Sequence, residues 1–266
     1  MIVELGLGLA VGTVMALTGA GGGILAVPLL VFVLQLSVVQ AGPIGLLAVG
    51  LAATLGSAAG LKAGIVRYRA ALLMSVTGIS LSPFGIWLAH RLDNRWLSIL
   101  FSIILFFIAY RTFRQAKSHS TDNEGSKTPK LACVRDATSG QFVWTTRCAR
   151  ALAMSGGVAG LFSGLLGVGG GFVIVPALQR YSDLAIQSVI ATSLTVIALV
   201  SLAGVLFSST AGSLNWVVAI PFCAGALAGM IAGKLISSWL AGPQLQISFA
   251  VLSAVVAVGM MIKSFV

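Results

Sequence analysis

Two interruptions of otherwise apolar sequence, both written in glycine and nearly the same, constrain this chain more than any other feature. The first reads Gly19-Ala20-Gly21-Gly22-Gly23-Ile24-Leu25-Ala26-Val27-Pro28, and the second Gly167-Val168-Gly169-Gly170-Gly171-Phe172-Val173-Ile174-Val175-Pro176. Both fit G-x-G-G-G-x-x-x-x-P, and both sit in stretches that would otherwise be continuous membrane helix. Backbone broken at membrane depth is tolerated only where protein buries it or where it lines a polar cavity. Interruptions in corresponding positions of two halves are the strongest sequence pointer to a transporter binding site.

The membrane itself follows from composition. Of the 266 residues 58% are hydrophobic and only 8% charged, and the mean hydropathy is +1.05, whereas soluble domains carry about 25% charged residues. Such a chain has too little polar surface to face water. At about 20 apolar residues per helical crossing there is room for about eight crossings. The 32 glycines suit helices that pack backbone to backbone. The expected class is all-α: a polytopic helical membrane protein of two homologous halves, each of about four transmembrane helices and each opening on a glycine-broken helix or hairpin.

The net charge of +10 does not indicate nucleic acid, because the basic residues fall between apolar segments, where orientation signals accumulate. Residues 1–113 form the first repeat, 114–147 a polar linker rich in Ser, Thr, Lys and Asp, and 148–266 the second repeat. Beyond the glycine motif, Gly64-Ile65-Val66-Arg67-Tyr68 matches Gly212-Ser213-Leu214-Asn215-Trp216 at the same spacing, and Gly85 to Ala89 loosely matches Gly229 to Gly233. This order points to an internal duplication. The start, Met1-Ile2-Val3-Glu4, lacks the positive region of a cleaved signal peptide, so the first apolar stretch is expected to stay in the mature protein. Cys133, Cys148 and Cys223 have no metal-ligand spacing and cannot all pair. They are expected to be reduced or inert.

A continuous helix from Ile2 to Leu34 would span about 50 Å against a hydrocarbon core of about 30 Å. Pro28 fits an early turn of a short second helix. Two geometries remain: one kinked crossing, giving four helices per half, or a fold-back hairpin, which relates the halves by inversion. Counting basic residues does not separate them. In the first, one side holds Lys62, Arg67, Arg69, Arg111, the linker cations, Arg150 and Lys263, and the other Arg91, Arg95, Arg180 and Lys234. In the second, Arg180 and Lys234 join that majority and Lys263 leaves it. Both put the linker in the cytoplasm. The hairpin is preferred because inverted repeats supply alternating access.

The glycine runs leave backbone N–H groups at the start of a short helix, a terminus with partial positive charge and free donors that suits an anion. Gly21, Gly22 and Gly23, with Gly169, Gly170 and Gly171, are therefore the expected ligands. Nearby hydroxyls could complete the site: Thr18 and Ser163 beside the breaks, Thr54 and Ser57, and Thr192, Ser193 and Thr195. Their competing role is bonding to their own helix backbone. Lys62 is a candidate anion guide, although its place at a segment end also suits snorkelling. No Lys-Ser or Lys-Thr follows the glycines, so an NTPase loop is disfavoured. No cofactor or metal motif appears, and no catalytic constellation, so the chain is not expected to be an enzyme.

With one G-x-G-G-G-x-x-x-x-P motif per half, each followed by about three apolar helices, the chain resembles the TauE/SafE family of sulfite exporters. Ala191-Thr192-Ser193-Leu194 is similar to that family's A-T-S-L stretch, and Gly212 to Trp216 to its next turn. The first half departs from it, with Ile44-Gly45-Leu46-Leu47. The resemblance implies secondary transport of a small sulfur-containing anion (sulfite, sulfoacetate, thiosulfate or a related sulfonate) across a prokaryotic plasma membrane. Its partners would be that anion and the lipid bilayer, with a proton or sodium ion as a coupling ion and a homodimer both left open. A scaffold that holds a soluble partner through the basic linker is the alternative, and a channel would share the broken helices.

Overall fold

The computed structural model describes residues 2–18, 22–118, 133, 145–210, 215–240, 251 and 253–262, with the side chains of 18, 111–118, 210 and 236–240 left out. In chain order the helices are α1 (Ile2–Thr18), α2 (Gly22–Val33), α3 (Val38–Lys62), α4 (Tyr68–Arg91), α5 (Asn94–Ser118), α6 (Thr146–Leu166), α7 (Gly171–Tyr181), α8 (Ile186–Thr210) and α9 (Trp216–Leu240), followed by α10 (Ser253–Ile262). Five of them, α3, α4, α6, α8 and α9, are long and apolar enough to cross a membrane, and α1, α2, the Asn94–Tyr110 part of α5, and α10 are shorter apolar helices. The chain is a polytopic all-α membrane protein, and no strand occurs among the described residues.

Small residues set the closest helix pairs. A Cβ placed on Gly8 or Gly12 of α1 would strike the carbonyls of Phe222 and Ala226, while Gly225 and Gly229 of α9 lie against the carbonyls of Leu5 and Leu9. Contact numbers rise together along both helices, so α1 and α9 run parallel. The same device joins α4 to α6: Gly160 lies against the Gly78 carbonyl, Gly164 against that of Ser82, and Gly85 against that of Leu161. This pair is also parallel. Glycines at four-residue spacing let backbones approach to contact, where dispersion replaces the hydrophobic drive that lipid cannot supply. The contact of Gly85 with the Leu161 carbonyl is echoed by Gly233 with that of Thr13, one helical turn later than the loose sequence match at Gly229.

Between these pairs lie α3 and α8, which cross antiparallel. Gly60 meets Ala191, Gly56 meets Leu194, and Gly50 meets Ser201, with Ser57 and Thr195 hydroxyls 2.9 Å apart between them. Ser37 caps α3 through a reciprocal Ser–Gln40 capping box. The Val38 amide donates to Asn94 Oδ1 at 2.8 Å, so α3 and α5 start on the same face of the molecule.

Both glycine motifs are fold-back hairpins. Gly22 packs against the backbone of Met15, which a continuing helix would have left far behind. Gly170 lies against the Ala159 carbonyl, and the Phe162 and Phe172 rings on α6 and α7 have centroids 6.1 Å apart. Three glycines accomplish the second reversal in the left-handed region: Gly167 at φ 73°, Gly169 at 77° and Gly170 at 68°, where a Cβ is penalised. The short helices start at the glycines themselves. Pro28 and Pro176 consequently lie inside α2 and α7, not in their first turns as the sequence suggests, and each deletes one intrahelical hydrogen bond.

The direction of each helix then follows. The α3–α4, α5–α6 and α7–α8 connections lie on one face (the linker face) and the α2–α3, α4–α5 and α8–α9 connections on the other. Trp87, Trp96 and Trp216, each more than half exposed, sit near the latter face, as interfacial anchors do. The cysteines depart from expectation, because Cys133 and Cys148 are joined in a disulfide. Cys133 also donates its amide to the Tyr181 carbonyl at 2.9 Å, which brings the two sulfurs within bonding range at the linker face. Cys223 is the free, buried one.

Candidate functional site

The two breaks meet in the centre. A Cβ on Gly23 would stand 3.0 Å from the Val168 carbonyl oxygen and 3.1 Å from a methyl of Val49 on α3. A Cβ on Gly169 would stand 2.9 Å from Ser201 Oγ, 3.0 Å from Ile197 and 3.1 Å from Val49. Val49 and Ile197, from the antiparallel α3 and α8, therefore wall the junction, and each half's break touches both halves. Gly167 is seated on α3, against Gly42 and Gly45. The Gly167 amide closes α6 on the Ser163 carbonyl at 2.9 Å, and Gly170 caps α7 with no side-chain oxygen.

The polar groups here are neutral. Ser163 and Ser201 are fully buried, and neither hydroxyl has a hydrogen-bond partner. Buried hydroxyls normally find one, so an unsatisfied pair bracketing the second break is costly unless something binds there. Gly169, Gly170 and Gly171 occupy the α7 N-terminus, where amide donors and the helix dipole favour negative charge. Their neighbours Val49, Ile197 and Val168 keep the junction dry, which strengthens each such interaction.

Sequence reasoning overlooked Ser201, one of five serines in a long apolar helix. The available signal was spacing, since Ser201 follows Ile197 and Leu194 down the face of α8 that meets α3. Other expected residues fall elsewhere. Thr192 accepts a hydrogen bond from the Arg67 amide at 3.1 Å, capping α4, whose own N-cap residue offers no side-chain bond. It lies nine residues before Ser201, about 13 Å along the helix. Ser193 bonds the Ile190 carbonyl at 2.8 Å, and Ser57 pairs with Thr195. Thr54 is exposed and bonds the Leu51 carbonyl, and Lys62 is exposed at the end of α3. Gly21 and the Thr18 side chain lie outside the described residues. The structure thus brings Gly22, Gly23, Gly169, Gly170, Gly171 and Ser163 to the breaks, and leaves Thr54, Ser57, Lys62 and Thr192 nearer the linker face.

Among the described residues no cluster of His, Cys, Asp or Glu could hold a metal. A small recess, with room for little more than one water, opens from the face opposite the linker and reaches Gly167 past Leu46, Gly164 and Ser208.

Comparison with known proteins shows the family. The family model described as sulfite exporter TauE/SafE matches residues 5–260. A probable membrane transporter protein, YunE, of Bacillus subtilis is 30% identical over 239 residues, covering 86% of this chain and 84% of the relative. A probable membrane transporter protein of Xylella fastidiosa is 28% identical over 244 residues, covering 90% and 86%. One from Methanocaldococcus jannaschii is 26% identical over 237 residues, covering 87% and 80%. No solved structure matches. The chain belongs to the sulfite exporter TauE/SafE family of membrane transporters.

Proposed function

We propose that the protein is a secondary transporter that moves a small sulfur-containing oxyanion by alternating access about the two glycine breaks. The observation that carries this reading is the junction itself: two helix reversals in contact through Gly23 and Val168, with the unpartnered Ser201 hydroxyl against Gly169. Gly23, Gly169, Gly170 and Gly171 would present backbone donors, and Ser163 and Ser201 would supply hydroxyls. Sulfite, sulfoacetate and related sulfonates share what such a site can read, a compact group of oxygens that accept several hydrogen bonds at once. No buried cation is needed, because helix-start amides supply the positive potential.

In this reading the halves are inverted repeats. The pairing of α1 with α9, of α4 with α6, and of α3 with α8 is what an inversion about an axis through the α3–α8 crossing produces. Tilting one half against the other about that axis would expose the junction to one face and then the other.

Among the described residues, Lys62, Arg67, Arg69, Arg111, Arg114, Lys117, Arg147, Arg150, Arg180 and Lys234 fall in the helix ends and connections toward the linker face, and Arg91 and Arg95 toward the other. Positive residues accumulate in cytoplasmic loops, so the linker face is assigned to the cytoplasm of a prokaryotic plasma membrane. A coupling proton or sodium ion and a homodimeric assembly remain compatible with this arrangement.

The test is uptake and efflux in proteoliposomes with labelled sulfite, sulfoacetate and thiosulfate at set pH and sodium gradients. Saturable flux of one of these, lost on Gly170→Leu while the protein still inserts, is expected. Absence of flux for all of them, or flux surviving Gly22→Leu and Gly170→Leu, overturns the reading.

A further inference from the structure

The face of α8 that carries Ser201 continues through Gly204 to Ser208, positions that a helix places in one row. Ser201 lies at the second break, and Ser208 lines the recess that opens opposite the linker face. Between them the atoms nearest Gly204 belong to Leu46 and Ser82. A Cβ on Gly204 would stand 3.2 Å from Leu46 Cδ1 and 3.7 Å from Ser82 Oγ. Ser82 is fully buried and its hydroxyl has no hydrogen-bond partner. Ser75 and Ser253 are likewise buried and unpartnered; what sets Ser82 apart is its place beside Gly204 and Leu46, next to the recess.

The other end of the α3–α8 crossing is built alike but closed differently. Gly56 of α3 is covered by Leu194 Cδ1 and Met230 Cε, each 2.7 Å from the position of an added Cβ. The sequence offset that carries Gly19 onto Gly167 also carries Leu46 onto Leu194, Gly56 onto Gly204 and Ser82 onto Met230. Each half therefore lays a leucine over the other half's glycine. On the linker side the atoms nearest the glycine are apolar and closer, with the Ser57 and Thr195 hydroxyls bonded to each other beside them. On the recess side the seal is a leucine beside a hydroxyl.

We propose that Leu46 and Leu194 are the two gates of one passage, and that Ser82 is a transient hydrogen-bond donor to the oxyanion between the Gly169–Ser201 junction and the recess. The proposal rests on the transport reading and adds to it a route, two gates and one further binding residue. Withdrawal of Leu46 from Gly204 exposes Ser82 and Ser201 in succession to the recess. Withdrawal of Leu194 from Gly56 opens the opposite side past Met230 and the mutually bonded Ser57 and Thr195 hydroxyls.

The experiment uses Ser82→Cys in the full chain with Cys133, Cys148 and Cys223 replaced by serine. It is labelled in oriented vesicles with a membrane-impermeant methanethiosulfonate that itself bears a sulfonate. Labelling is expected from the recess face only, about tenfold faster with Leu46→Ala, unchanged by Leu194→Ala, and slowed by sulfoacetate, on the scale of one hydrogen bond to a charged ligand. Ser82→Ala, which removes an unsatisfied group and should fold, is expected to raise the KM for the transported anion about tenfold on the same basis. Labelling that ignores Leu46, labelling only from the linker face, or an unchanged KM in Ser82→Ala overturns the gate. If no sulfur anion is transported but labelling still depends on Leu46, the substrate reading fails and the gate stands.

Discussion

The carbonyl oxygen of Val168 faces Gly23 so closely that a Cβ there would stand 3.0 Å away. A peptide oxygen from one half thus presses on the first turn of the other half's re-entrant helix. The contact couples the two breaks mechanically, because neither α2 nor α7 can tilt without moving the other's start. It also explains why glycine is required at a position whose own helical backbone does not demand it.

Gly169→Ala tests that coupling from the second side. The residue sits at φ 77° with Ser201, Ile197 and Val49 around it. Holding an alanine there costs about 1–2 kcal/mol of backbone strain, before Ser201 is displaced. Flux in proteoliposomes is expected to vanish while membrane insertion persists. Gly6→Ala is the matched control: nothing lies within 4 Å of an added Cβ, and both flux and stability should be unchanged. Equal effects in the two variants would refute the argument.

Ser201→Ala separates a binding hydroxyl from a structural one. Its oxygen has no partner, so deleting it should leave thermal stability unchanged or raise it by about 1 kcal/mol, the cost of an unsatisfied buried group. Transport should fall about tenfold, the scale of one hydrogen bond to an anion. A variant that loses stability and keeps its flux would assign Ser201 to packing.

Thr192→Val should do the reverse. The Thr192 hydroxyl accepts from the Arg67 amide, and its loss leaves the start of α4 uncapped at a cost of about 1 kcal/mol. A lower unfolding temperature with an unaltered KM is expected. A large KM increase would return Thr192 to the substrate site.

These contrasts mark what was legible in the sequence. The membrane class, the positions of both breaks and their pairing follow from hydropathy and the repeated glycines, because lipid imposes strict demands on backbone and side chain alike. Hairpin and kinked crossing have the same hydropathy, and the choice lies in the left-handed turns at Gly167, Gly169 and Gly170 and in contacts such as Gly22 with Met15. The hydroxyls of Thr192 and Ser193 look like ligands by composition, yet long-range neighbours engage one and the helix backbone the other. Ser201 and Ser82 carry no motif, and what distinguishes them is an unpartnered hydroxyl set against Gly169 or Gly204, a property of packing alone. The Cys133–Cys148 bond depends on where the segment next to α7 returns, which spacing does not encode.

Packing of α4 on α6 gives a sharper stability prediction. Gly160 meets the backbone of Gly78 directly, whereas a Cβ on neighbouring Gly157 would only touch the Leu81 methyls at 3.7 Å. Gly160→Leu must push two helices apart and is expected to destabilise by more than about 3 kcal/mol, as overpacking against immovable backbone does. Gly157→Ala should cost under about 1 kcal/mol. Detergent-resistant unfolding of the two variants provides the comparison, and similar midpoints would mean the helices are not held by this contact.

The linker face brings two physical signals into opposition, and magnitude decides between them. Among the described residues all the Lys and Arg except Arg91 and Arg95 lie toward it, which favours the cytoplasm, while the Cys133–Cys148 bond is at home in an oxidising compartment. Many charges near segment ends outweigh one thiol pair, which on a cytoplasmic face would be held reduced in growing cells and would close on oxidation. A protease site placed between Lys117 and Lys130 should therefore be protected in intact cells and cut in inside-out vesicles. Alkylation of cells before lysis should trap Cys133 and Cys148 as thiols, and oxidation of the purified protein should then block that reaction. Cleavage in intact cells together with a bond already formed at lysis would reverse the orientation, and the recess beside Ser82 would then open to the cytoplasm.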